Sequence, residues 1–293
     1  MTGARRYVDL GGPVHYADHG GAGRPIVLVH GLGGSLDNWA AVAPALRAHG
    51  RVLALDLAGH GRTPSHGRTA RMGANRRLLS RFLREVAGAP AVLVGNSMGG
   101  TLSLVEAAAE PERVAGLVLV NAALPLAGLA RVDRTVALLF TAFALPAVGE
   151  ALLRLRALRG PERSVHDLLR LCGIEPHGLP REVLDAHVAL AAERAALGRR
   201  AHRDFLAAQR SLMNRLLRRG RFFRMVATVR APVLVLQGER DRLVSVAAAR
   251  ALAAARPDWP LRILPGLGHA PQLEAPEQFL RAVEPWLERS GAG

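Results

Sequence analysis

Six residues, Gly95-Asn96-Ser97-Met98-Gly99-Gly100, constrain this chain more than any others. The stretch before them, Ala91 to Gly95, is continuously apolar, as a strand buried on both faces is. The stretch after them, Met98 to Ala109, reads as a helix and is closed by Pro111, which cannot continue it. A strand that passes into a helix this abruptly forces its central residue into a strained backbone. Only small residues two places before and two after let the chain pass. Such a turn lifts Ser97 Oγ out of the sheet and sets it over a helix N-terminus. The free N–H groups and positive dipole end found there suit a developing oxyanion.

The same alternation recurs along the chain. Pro25–Val29, Arg51–Asp56 and Val114–Val120 are apolar runs of strand length, and Ala70–Val86 has helical spacing. Tyr7–Leu10 and Val14–His19 read as a hairpin around Gly11-Gly12. From Leu124 to Arg230 no strand is predicted, only Leu/Ala/Arg-rich helical stretches broken at Pro146, Gly160-Pro161, Gly178–Pro180 and Gly220. The strand pattern restarts at Pro232–Gln237 and Leu261–Leu264, with helices at Val246–Ala255 and Pro276–Leu287. Strands alternating with helices predict an α/β fold, a mostly parallel sheet with helices on both faces. The expected division is a core in two parts, 1–123 and 230–293, interrupted by a helical insertion at 124–229.

A serine of this kind needs a base, and the base needs an orienter. His269 lies in Pro265–Pro271, just past a predicted strand, where open α/β sheets place their ligands. Asp241 follows the Val233–Gln237 strand, with Glu239 as its nearest rival. The chain order Ser97, Asp241, His269 is one of the known triad layouts. His30-Gly31-Leu32-Gly33-Gly34 follows another strand, and its glycines let a backbone N–H turn toward the nucleophile. The oxyanion donors expected are the N–H groups of Leu32 and Met98. His30 is expected to support that loop by hydrogen bonding. Asp56–Thr63, with His60, is expected to set loop geometry.

These segments together resemble the α/β-hydrolase family. The loop at His30–Gly34, the turn at Asp56–Thr63, the elbow at Gly95–Gly100, Gly238–Asp241 and Gly268–Pro271 all fall in the family's order. The resemblance covers roughly 7–122 and 230–290. It implies an eight-stranded sheet, Ser97 as nucleophile, His269 as base, Asp241 as orienter, Leu32 and Met98 as oxyanion donors, and a helical cap at 124–229. A serine at position 97 argues against the haloalkane-dehalogenase and epoxide-hydrolase branches, which carry Asp there. The expected activity is ester hydrolysis on small to medium lipophilic acyl groups, without cofactor or metal. The elbow is similar to that of meta-cleavage product hydrolases, which break C–C bonds. Those commonly carry Trp after the catalytic histidine, where this chain has Ala270. A cofactor-free perhydrolase or haloperoxidase-like activity is the third reading.

Composition bears on partners. All 39 basic residues are Arg, against 24 acidic ones, giving a formal net charge of +15. Phosphate-gripping proteins usually mix Lys with Arg, so nucleic acid is not the expected partner. The excess is uneven, with 19 Arg and 9 acids between Leu124 and Arg230. In that insertion, Val136–Phe140 and Ala142–Leu145 are apolar on nearly every face, as a buried helix or one facing a greasy ligand is. A small-molecule ester is the expected substrate. The basic, apolar cap is further expected to make transient contact with a membrane or an anionic amphiphile. The single cysteine, Cys172, excludes an intrachain disulfide and a cysteine-based zinc site. Met1–Gly12 has no apolar run after Arg5 and Arg6, so no secretory signal and a cytoplasmic location are expected.

Overall fold

The computed structural model describes residues 3–126 and 133–291. Residues 1–2, 127–132 and 292–293, which belong to the expected core and insertion, lie outside the described residues. Eight strands form one sheet: β1 (Ala4–Asp9), β2 (Pro13–Gly20), β3 (Pro25–Val29), β4 (Arg51–Leu55), β5 (Ala91–Asn96), β6 (Val114–Val120), β7 (Val233–Gly238) and β8 (Leu261–Leu264). Their spatial order is β1-β2-β4-β3-β5-β6-β7-β8. β1 and β2 form the predicted hairpin, β2 runs antiparallel to β4, and every later pairing is parallel.

Side-chain alternation along the strands splits the core in two. Val27, Val29, Leu53, Leu55, Leu93, Leu117, Leu119, Val233 and Val235 face one layer, packed on the helices Met72–Phe82, Met98–Ala109 and Val246–Ala255. Ile26, Leu28, Val52, Ala54, Val92, Val94, Val118, Val120, Leu234 and Leu236 face the other. There Trp39, Leu46, Phe279, Val283 and Trp286 cover them. Both faces are buried, which is why the central strands read as unbroken apolar runs. At the centre of the sheet Val29 pairs with Gly95, Asn96 with Val120 and Val120 with Leu236. The C-terminal ends of β3, β5, β6 and β7 therefore lie side by side, and the loops leaving them meet at one edge.

Between β6 and β7 the described residues form helices alone, from Arg134–Ala144 to Arg219–Ala227. This segment docks on the core through polar contacts as well as apolar ones. Arg194 donates to the carbonyls of Gly59 and Gly61, Arg62 pairs bidentately with Glu193, and Ser211 Oγ accepts the Met72 N–H. Helix Arg134–Ala144 is less buried than its composition suggests. Only Val136 and Phe143 are buried in it, while Leu138 is 73% exposed. Among the described residues no single helix is long and apolar enough to cross a membrane.

Candidate active site

Ser97 occupies the turn between β5 and helix Met98–Ala109, at φ 54° and ψ −119°. That is the strained left-handed region, rare for a residue with a Cβ. The glycines around it make the turn sterically feasible. A Cβ on Gly95 would lie 2.6 Å from Gly99 O, and one on Gly99 would lie 2.2 Å from Val29 O. The Ser97 N–H donates to Val120 O at 3.0 Å, and Ser97 O accepts from Ala123 N–H, so the elbow is pinned to the end of β6.

Asp241 and His269 meet in the loops after β7 and β8. His269 Nδ1 lies 2.8 Å from Asp241 Oδ2. Asp241 Oδ1 accepts the N–H groups of Leu243 and Val244, at 2.8 and 3.0 Å, and the carboxylate is buried. An acceptor at Nδ1 keeps the imidazole proton there and leaves the Nε2 lone pair free. Asn96, the residue before Ser97, donates from Nδ2 to His269 O at 3.0 Å, joining the elbow to the histidine loop. Ser97 Oγ itself makes no hydrogen bond among the described residues; such contacts are often loose without substrate. Glu239, the rival acid, turns away and accepts the Gly266 N–H instead.

The loop after β3 completes the cluster. A Cβ on Gly31 would stand 3.0 Å from Ser97 Cβ, so this loop runs against the elbow serine. Among the described residues, the Leu32 and Met98 N–H groups donate to no other group. His30 acts as the loop's internal brace. Its Nε2 accepts the Leu57 N–H at 3.0 Å, and its Nδ1–H donates to Gly31 O at 2.7 Å. Burial pushes the His30 imidazole below its usual range, consistent with this neutral form. His60 is also buried, with its ring beside His30, and is driven down to about 3, first by burial and then by that neighbour.

A model of the alpha/beta hydrolase fold matches residues 24–276. The chain belongs to the α/β-hydrolase family. This α/β hydrolase is 29% identical over 283 residues to a 2-hydroxy-6-oxononadienedioate/2-hydroxy-6-oxononatrienedioate hydrolase of Burkholderia vietnamiensis, covering 94% of this chain and 91% of that one. Over 118 residues it is 41% identical to the dihydrolipoyllysine-residue acetyltransferase component of the acetoin cleaving system of Pseudomonas putida. That match takes in 40% of this chain and only 30% of the Pseudomonas protein's length. A solved serine hydrolase involved in carbazole degradation superposes with a TM-score of 0.73 at 24% identity, covering 99% of this chain and 100% of that one, a likeness of fold.

Three residues of the candidate site were not singled out by the sequence. Asn121, at φ 46° just past β6, donates from Nδ2 to both Asp241 Oδ2 and Gly268 O, and its Oδ1 accepts the Gly238 N–H. Gln237 donates to Asp241 Oδ2 at 3.2 Å. Glu274 accepts the N–H groups of Gly268 and Ala270, on either side of His269. Burial raises its carboxyl above the usual range, against those two bonds. The helical segment reaches the same loop, because Cys172 O accepts the His269 N–H at 2.9 Å. The Cys172 thiol is pushed up to about 12 by burial and then by Asp241, which leaves it protonated and unreactive.

Proposed function

We propose that the protein is a serine hydrolase that cleaves carboxylic esters through an acyl-enzyme. The observation that carries this reading is the Asp241–His269 bond, 2.8 Å at Nδ1, which leaves Nε2 free on a loop that Asn96, the neighbour of Ser97, holds through its Nδ2. In this mechanism His269 Nε2 takes the Ser97 proton as Oγ attacks the ester carbonyl. The Leu32 and Met98 N–H groups receive the oxyanion. The imidazolium, held by Asp241, then protonates the departing alcohol. A water activated by the same nitrogen releases the acid.

Residues 124–229 serve as a cap over this site. Phe205 supports a lipophilic acyl group, since its ring comes within 3.3 Å of where a Cβ on Gly33 would stand, next to the oxyanion loop. It packs edge-on against Phe143 at 5.4 Å, so an apolar wall faces the loop. Each methylene buried against such a wall is worth up to about 0.8 kcal/mol. Rates on p-nitrophenyl esters should therefore climb with chain length and peak between about four and ten carbons. A peak at acetate with no gain beyond it would reject the acyl assignment. A fluorophosphonate that fails to label Ser97 would reject the nucleophile.

A second reading is supported by the relative from Burkholderia vietnamiensis, a hydrolase of 2-hydroxy-6-oxo-dienedioates that aligns with 94% of the chain. It predicts turnover of a vinylogous 1,5-diketone acid by the same serine. The small Ala270 beside His269 weighs toward the ester. A kcat/KM on the diketone acid above that on the best ester would reverse the order of the two readings.

A further inference from the structure

The corner joining two helices of the insertion is apolar and exposed. Helix Arg134–Ala144 and helix Val148–Ala157 meet at 113°. The corner between them, Ala144 to Val148, is exposed at every residue, and none of the five is polar. The stripe continues outward along both helices at helical spacing. Leu138 lies on the first and Leu145 just past it, and Val148, Leu155 and Leu158 lie on or just past the second, beside the exposed Arg154 and Arg159, from 46% exposed at Val148 to 84% at Leu158. No charged side chain lies between Arg134 and Glu150.

Arg210 fixes this corner. Its Nε donates to Phe143 O at 3.1 Å, and its Nη2 donates to Leu145 O at 3.1 Å. Both Nη atoms also grip Glu150, in the first turn of the second helix, at 3.0 and 3.1 Å. One guanidinium thus satisfies carbonyls at the end of one helix and holds the start of the next. Beside it opens a cavity of about 370 Å³, lined by Arg71, Arg203, Arg210, Glu150, Ser211 and Asn214. Three guanidinium groups face one carboxylate there. Arg71 and Arg203 are exposed, and their guanidinium groups have no hydrogen-bond or ion-pair partner among the described residues.

A basic pocket beside a solvent-facing apolar corner matches one surface, an anionic lipid bilayer. We infer that this face docks on such a bilayer, with Leu145, Val148 and their neighbours among the acyl chains and a lipid phosphate in the Arg71–Arg203–Arg210 pocket. The positive charge concentrated in the insertion has the complementary sign, and guanidinium recognises phosphate through paired N–H donors. A second copy of this chain would present the same positive charge to itself, which disfavours a face-to-face dimer.

Vesicle flotation of the Ser97→Ala protein tests this, so that the outcome does not depend on catalysis. Vesicles containing about 30 mol% phosphatidylglycerol should bind at least about tenfold more protein than pure phosphatidylcholine, and about 0.5 M salt should abolish most of the difference. Leu145→Glu with Val148→Glu should cut binding at least about tenfold, while hydrolysis of a soluble ester by the same variant in the Ser97 background stays within about twofold. Arg71→Glu with Arg203→Glu should remove the preference for the anionic lipid. Equal binding to both vesicles, or full binding by the Leu145/Val148 variant, would overturn the proposal. So would a dimer in analytical ultracentrifugation that Leu145→Glu dissolves, or displacement from vesicles by millimolar glycerol phosphate at constant ionic strength without any need for the apolar corner.

Discussion

Asn121 Nδ2 lies 2.7 Å from Asp241 Oδ2, the oxygen that also receives His269 Nδ1. The same amide donates to Gly268 O and accepts from Gly238 N–H, so one buried side chain ties β6 to the loops after β7 and β8. It fixes the distance between the Asp241 loop and the His269 loop. Asn121→Ala should lower kcat/KM about 10- to 100-fold, that is about 1.4–2.7 kcal/mol of transition-state stabilisation, with KM little changed. Asn121→Asp should lose more, because a second carboxylate at this distance repels the first and raises the pH at which the pair ionises. Steady-state rates across pH separate the two effects.

The choice between the two acids is decided by one pair of variants. Asp241→Asn should drop kcat by about 10⁴, since the amide favours the wrong imidazole tautomer. Glu239→Gln touches only the Gly266 N–H and should stay within about threefold. Rates on the best p-nitrophenyl ester would show it, and a larger loss at Glu239 would reassign the orienter.

Backbone strain at Ser97 gives a stability signature. At φ 54° a Cβ is unfavourable and glycine is not, so Ser97→Gly should be more stable than Ser97→Ala by about 1 kcal/mol. Both should be nearly inactive. Denaturant melts of the two variants measure the difference directly, and equal midpoints would mean that the turn relaxes when the hydroxyl is lost.

Glu106 sets a pH limit on stability. It is buried on helix Met98–Ala109, and desolvation, only partly offset by Arg76 at 3.2 Å, pushes its carboxyl up to about 7. The folded state therefore holds a proton that the unfolded chain releases near its ordinary value. This contribution to stability is complete below pH 4.5 and is lost as pH rises through about 7. Glu106→Gln should raise the stability at pH 8 by about 1–3 kcal/mol and leave it almost unchanged at pH 4.5. Thermal melts from pH 4.5 to 8 should show the variant's profile flattened.

The strands and the elbow were legible in the sequence because both are written in residue type. An all-apolar run such as Val114–Val120 has few alternatives to a doubly buried strand, and glycines at 95 and 99 are demanded by backbone atoms within 2.6 Å. The candidates Ser97, Asp241 and His269 were legible by order and spacing, and the fold joins the last two by a hydrogen bond. Asn121 was not, because a lone Asn past a strand reads as a turn residue, and its work depends on loops 117 and 147 positions away. The Cys172 contact was invisible for another reason: a carbonyl belongs to every residue. The apolar helix at Arg134–Ala144 reads by composition as buried or facing a greasy ligand, and only the fold reveals that Leu138 faces outward.

The bond from His269 N–H to Cys172 O also bears on how such a molecule can diversify. Because a main-chain atom of this segment holds the backbone of His269, the proposed base, the segment is not an interchangeable attachment. A transplanted set of helices would have to present a carbonyl at the same point in space, whatever its side chains, or the imidazole would drift from the serine. Changes of specificity are therefore freest in the helices around Phe205, away from residue 172, where side chains can vary without moving the histidine.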